Sequence, residues 1–243
     1  MPTASQSIRD IVTAEPSTAA VFERFEIDLC SRADQQLDQA CAALQLSVDQ
    51  VLEKLSDAEG RAHGAHAPDL DSYSAGRLIQ HIVRTHHQTV RQELPRLVDL
   101  SKRIATKHGG KAPHFNTVAV LLDQLCTEMF AHLQKEERVL FPYIVEMEEA
   151  AESSRQASSC CFPSVAQPIA MMMHEHDSAE AIVEELSRVT HGFKPPEWAC
   201  ARNTAFHGSM AEFRADLHQH VHVENDLLFP RAIALEAELK KRS

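Results

Sequence analysis

The sequence predicts an all-α protein: an up-down-up-down four-helix bundle preceded by a small helical N-terminal domain. Three observations carry this. Beyond residue 73 the chain reads as four long helical patterns with short connections, which makes neighbours antiparallel. Aromatic residues are only 5% of the chain while 44% is apolar, a balance that favours helix, because strands draw on aromatic and β-branched side chains. The stretch from His132 to Pro142 also recurs from His220 to Pro230, both copies reading H-x-x-x-E-x-x-x-L-F-P. The bundle therefore reads as two copies of one helical hairpin.

The elements follow in chain order. Residues 1–57 form the small domain. Pro16 suits the first turn of a helix over Ser17–Phe25, Asp34 is placed to cap a helix running to Ala43, and Ser47-Val48-Asp49-Gln50 is a capping-box pattern opening a helix to Leu55. Residues 58–73, with Gly60, Gly64 and Pro68 and no periodicity, read as a linker, and 74–243 as the bundle. Its first long helix spans about 74–107, with Pro95 as a kink point and Gly109-Gly110 as the stop. The second spans about 116–149, with a kink expected at Pro142. A Ser-rich loop, 151–163, leads to the third, about 165–191, stopped by Gly192. The fourth spans about 196–240, with Pro230 in its late part.

The candidate chemistry rests on histidine, of which the chain has 15. His132/Glu136 and His220/Glu224 are i, i+4 pairs, so each pair lies on one helix face. The first and third long helices add His87 and His176. The successive spacings are 45, 44 and 44 residues. Each is about 22 residues out and 22 back, roughly 30 Å per arm, so all six side chains reach one level of the core. Four imidazoles and two carboxylates suit two metal ions, each taking two imidazoles, with both carboxylates bridging. An oxo or hydroxo bridge would leave each ion an open position. This mixed ligation suits iron or manganese. Ferritin-type sites use Glu-x-x-His, whereas the order here is His-x-x-x-Glu. His108, some 21 residues from His87, belongs at a helix end far from the site. His86 and His174 neighbour ligands on other faces, His218 and His222 face away, and His81, His114 and His207 read as outer-sphere or surface residues. Met171-Met172-Met173 reads as core packing or pocket lining.

Function classes narrow accordingly. A formal charge of −11 disfavours nucleic acid, whose phosphates need a basic face. No apolar run reaches the roughly 18 residues of a membrane span, and no signal peptide is visible at the N-terminus. The six cysteines (30, 41, 126, 160, 161, 200) read as free thiols in a reducing cytoplasm.

Glu93-Leu94-Pro95 after His87, the stretch 135–142, His174-Glu175-His176-Asp177, the stretch 224–230, and Ala19 to Cys30 together resemble the RIC group (repair of iron centres), di-iron proteins of the YtfE, ScdA, DnrN and NorA types, with NorA the nearest. The resemblance covers nearly the whole chain. It implies a hemerythrin-like bundle, two non-haem irons bridged by Glu136 and Glu224, and a nitrosative or oxidative stress role. It also implies nitric oxide binding, with reduction to N₂O open to two adjacent irons, and repair of damaged iron–sulfur proteins. O₂ binding or sensing, or iron storage and donation, are the alternatives, and a homodimer is compatible. The family's Cys-Cys-Gly-Gly appears here as Cys30-Ser31-Arg32-Ala33, which leaves Cys30 as the candidate reactive thiol without a vicinal partner; Cys160-Cys161 is a weak substitute.

Overall fold

The computed structural model describes residues 2–29, 31–62, 69–153, 155 and 162–242. Cys30, the Cys160-Cys161 pair and part of the expected linker lie outside them. The described residues are built on helices, with one isolated antiparallel bridge between Ser7 and Gln36. The chain divides into two compact units: Met1–Ala67 with Thr190–Glu212, and Pro68–Val189 with Phe213–Ser243.

The first unit contains α1 (Ile8–Ala14), a 3₁₀ turn (Pro16–Thr18), α2 (Ala19–Arg24), α3 (Leu37–Ala43), α4 (Val48–Ala62) and the opening of α10 (Ala201–His222). Helix α1 was not anticipated. It starts where the Ser7 hydroxyl accepts the Asp10 amide, and it buries Ile8, Ile11 and Val12. Asp34 does not cap α3 as expected: its carboxylate takes the Arg9 guanidinium at 2.8 Å, and α3 begins after Gln36. The Ser47 cap does form, accepting the Gln50 amide at 3.5 Å. Ile8, Phe22, Leu37 and Leu55 make the apolar core, joined by Ala201 and Ala205 of α10. A Cβ at Gly208 would stand 2.3 Å from the Pro16 ring, so only glycine lets α10 pack there.

The second unit is the bundle. Its first rod is α5 (Ala75–Ile82), a π-helical segment Val83–His87, and α6 (Gln88–His108), which runs through Pro95 as regular α-helix. The second is α7 (His114–Lys135), a π segment Glu136–Leu140 and α8 (Phe141–Glu152). The third is α9 (Ala166–Val189), followed at the chain reversal by Gly192 with φ 76°. The fourth is the remainder of α10, a π segment Val223–Leu228 and α11 (Phe229–Arg242). Helix α6 packs on α7, α7 on α9, and α8 on both α5 and α11. Instead of a kink at Pro142 the second rod has a π segment just before it, and the fourth has the same before Pro230. A proline has no N–H to give the preceding turn, and in both copies the helix widens two residues before it.

The duplication extends beyond the sequence motif. Glu148 receives the Ala75 and Gly76 amides at 2.6 and 2.9 Å, capping α5. Glu236, 88 positions later, receives the Val165 amide at 2.8 Å and the Ser164 hydroxyl at 2.7 Å, capping α9. Each hairpin's second rod thus satisfies the orphan N–H groups opening its first. Phe141 stacks on His87 at 5.6 Å, and Phe229 on His176 at 6.1 Å, which gives the repeated Leu-Phe-Pro its use: the phenyl ring fixes the imidazole plane.

Candidate metal centre

The six residues singled out by spacing converge in the middle of the bundle. His87, His176, His220, Glu136 and Glu224 are 0% exposed and His132 is 2% exposed. They form two sets whose facing atoms all lie within 4.8 Å of one another: His87, Glu136, His220 and Glu224, and His132, Glu136, His176 and Glu224. Both sets share both carboxylates.

The facing atoms are the imidazole Nε2 atoms and the carboxylate oxygens. His132 and His176 Nε2 stand 3.0 Å apart. Glu224 reaches His176 at 3.0 Å through Oε2 and His220 at 3.0 Å through Oε1. Glu136 Oε2 lies 3.3 Å from both His87 and His132 Nε2. Two donors bound at right angles to one ion by bonds of about 2.1 Å are roughly 3.0 Å apart, so these separations fit cation ligation. The burial pattern fits as well. Both Glu136 oxygens, Glu224 Oε2 and His87 Nε2 find no hydrogen-bond partner among the described residues, and buried polar groups without a partner are costly unless a cation takes them.

Electrostatics point the same way. Burial, with the Glu224 charge beside it, pushes the Glu136 carboxyl well above the usual carboxylate range. Burial would raise Glu224 too, but the His220, His176 and His87 imidazoles that face it hold it well below that range. Burial and the neighbouring His176 push His132 down to about 4. Two carboxylates so close cannot both be comfortably ionised without positive charge between them.

A second layer sets the imidazoles, and the residue-by-residue reading of the sequence passed over it. His87 Nδ1–H donates to Glu137 at 2.6 Å, and Arg91 holds that carboxylate at 2.9 Å through both oxygens. His132 Nδ1–H donates to Glu175 at 3.0 Å, which also pairs with Lys135. His176 Nδ1–H donates to Asn225 at 3.0 Å. Each such donation leaves the Nε2 lone pair facing inward. Burial works against ionisation of Glu137 and Glu175, but the His87 and Arg91 hydrogen bonds lower the first, and those from Lys135 and His132 lower the second. The signal was adjacency: Glu137, Glu175 and Asn225 each neighbour a proposed ligand in sequence.

The other histidines sort as follows. His108 ends α6 away from the centre. His174 and His218 are exposed, and His222 is turned outward to Asp226 at 2.7 Å. His86 was set aside as facing elsewhere, yet it is 3% exposed and its ring stacks parallel to His220 at 5.5 Å. His207, taken as outer-sphere or surface, is 1% exposed and belongs to the first unit. Met172 is core, while Met171 and Met173 are exposed.

A helical bundle with a central His/Glu cation site defines the hemerythrin class, and residues 78–232 match the hemerythrin HHE cation binding domain. Residues 4–59 match ScdA_N, a domain of unknown function (DUF542). The iron–sulfur cluster repair protein YtfE of Pectobacterium carotovorum is 33% identical over 231 residues, covering 94% of this chain and 96% of that protein. YtfE of Musicola paradisiaca is 32% identical over 235 residues, covering 96% and 98%. A probable iron–sulfur cluster repair protein of Haemophilus influenzae is 29% identical over 233 residues, covering 96% and 99%. The chain belongs to the RIC family. No helix among the described residues is long and apolar enough to cross a membrane.

Proposed function

We propose that this chain is a cytoplasmic stress-response protein that holds two non-haem irons, binds nitric oxide there and serves the repair of damaged iron–sulfur proteins. His87 and His220 would hold one iron and His132 and His176 the other, with Glu136 and Glu224 available to both. The observation that carries the reading is the sharing of both buried carboxylates by two four-residue sets. Relatives named as iron–sulfur cluster repair proteins, matched along nearly their whole length, support the repair role. The finer NorA-type assignment, and a division into a domain over 1–57, a linker and a bundle over 74–243, belong to the same proposal.

When bound, ferrous iron supplies open coordination and electrons for a diatomic ligand. The protein supplies the rest. Glu137, Glu175 and Asn225 keep three imidazoles in the tautomer that faces inward. Phe141 and Phe229 keep the His87 and His176 rings from turning. Complete burial excludes bulk water. A cleft of about 420 Å³ lined by Glu128, His132, Lys135, His174 and Glu175 opens on the outer side of His132.

The test is to mix anaerobic diferrous protein separately with NO and with O₂, following absorption spectra and headspace N₂O. The reading expects a stable NO complex, with N₂O appearing only if the centre turns over. Reversible O₂ binding with no NO complex would instead make the chain an oxygen carrier or sensor.

A further inference from the structure

The two halves of the metal centre are not equivalent. Under the internal repeat, His87 corresponds to His176 and His132 to His220, so Glu175 corresponds to His86. Glu175 accepts the His132 Nδ1–H at 3.0 Å. His86 cannot do the same for His220. Its own Nδ1 is engaged with Asp216 at 2.9 Å, and its ring lies parallel to His220, 2° between planes at 5.5 Å, an arrangement with no N–H aimed at the neighbouring nitrogen. His220 Nδ1 is accordingly buried with no hydrogen-bond partner among the described residues.

The cause lies in the helix. From the cap residue Ser74 to His87 is 87 − 74 = 13 residues, and from Ser164 to His176 is 176 − 164 = 12. The first rod accommodates its extra residue as the π segment Val83–His87, whereas α9 is regular throughout. His86 sits inside that segment. A one-residue insertion turns the side chains beside it by about 100° relative to a regular helix.

We infer that the His87/His220 subsite binds its metal more weakly than the His132/His176 subsite and releases it first, because His220 alone among the four imidazoles lacks an acceptor on Nδ1. This rests on the dinuclear reading above. In the tighter subsite both imidazoles are oriented, by Glu175 and Asn225; in the weaker one only His87 is, by Glu137. An outer acceptor fixes ring orientation and raises imidazole basicity, and its loss lowers metal affinity by about 10- to 100-fold.

The test uses the full chain loaded anaerobically with Fe²⁺ and exposed to graded concentrations of a ferrous chelator, counting iron retained per chain. Loss in two steps, separated by about tenfold in chelator, is expected. Diffraction from crystals stripped to one ion should find the remaining metal between His132 and His176. Asn225→Ala, which takes the acceptor from His176, should merge the steps by weakening the tighter subsite. His86→Glu, where it folds, should merge or reverse them by giving His220 an acceptor. Two ions leaving wild type in one step would overturn the inference, as would a remaining ion at His87/His220 or two steps unchanged in Asn225→Ala. Saturation below two ions per chain would instead overturn the dinuclear reading itself.

Discussion

The middle of the bundle and the core of the first unit are both sealed from water, and they are held by opposite means. In the first unit Phe22, Leu37, Leu55 and Ile8 are 0% exposed and surrounded by other apolar side chains; burial there is favourable in its own right, at about 25 cal/mol per Å². In the bundle the equally buried positions are four imidazoles and two carboxylates, with both oxygens of Glu136 unpartnered. Burying these opposes folding until a cation compensates them. The apolar cluster of the bundle, with Leu78, Ile144, Leu228 and Phe229, lies alongside the centre and pays for what the polar residues cost. Apolar packing therefore dominates the core of the first unit, while the centre of the bundle would couple its stability to a bound cation.

The sharpest way to break this comparison is to remove a ligand. Glu136→Ala, Glu224→Ala and His132→Ala should each lower the iron from about two per chain and alter the near-UV charge-transfer bands, as read by metal analysis and absorption. His108→Ala, at the end of α6, should leave both unchanged. Full iron with an unaltered spectrum in all three ligand variants would remove the metal assignment altogether.

A core truncation in the other region should do the reverse. Phe22→Ala deletes a fully buried ring and should cost about 3–5 kcal/mol, visible in denaturant unfolding, with the iron content of the folded protein unchanged. Iron loss in Phe22→Ala without global unfolding would mean that the two regions do not behave independently.

These contrasts also explain what the sequence could reveal. The four rods and the six central residues were legible because an i, i+4 pair and a repeat of 88 positions survive without knowledge of packing. The π segments were not read, because one extra residue barely disturbs a helical hydrophobic pattern. Only the segment in the first rod left a trace, as drift in the repeat from 90 positions at Ser74 and Ser164 to 89 at His87 and His176. Helix α1, over Ile8–Ala14, is too short to establish a period. His207 was misjudged because nothing local says that residues 190–212 join the first unit. Gly208 against Pro16 is a contact across nearly the whole chain that only the fold displays.

The smallest expected effect concerns a support shared by the two hairpins and remote from the metal. Burial would raise the Glu236 carboxyl, but hydrogen bonds from Lys240, Ser164 and the Val165 amide lower it below the usual carboxylate range. A carboxylate depressed in the folded state stabilises fully above its unfolded value, and that contribution is lost as pH falls through the folded value. Glu236→Gln keeps an oxygen for the Val165 amide and removes the charge. At neutral pH the variant should be about 1 kcal/mol less stable, the size of a helix N-cap, and the gap between wild type and variant should close below the ordinary carboxylate range. Comparing the two proteins at each pH cancels the acid sensitivity of the metal ligands, which both share. A gap that stayed constant down to strongly acidic pH would show that Glu236 acts through its shape and not its charge, and that the cap on α9 is not electrostatic.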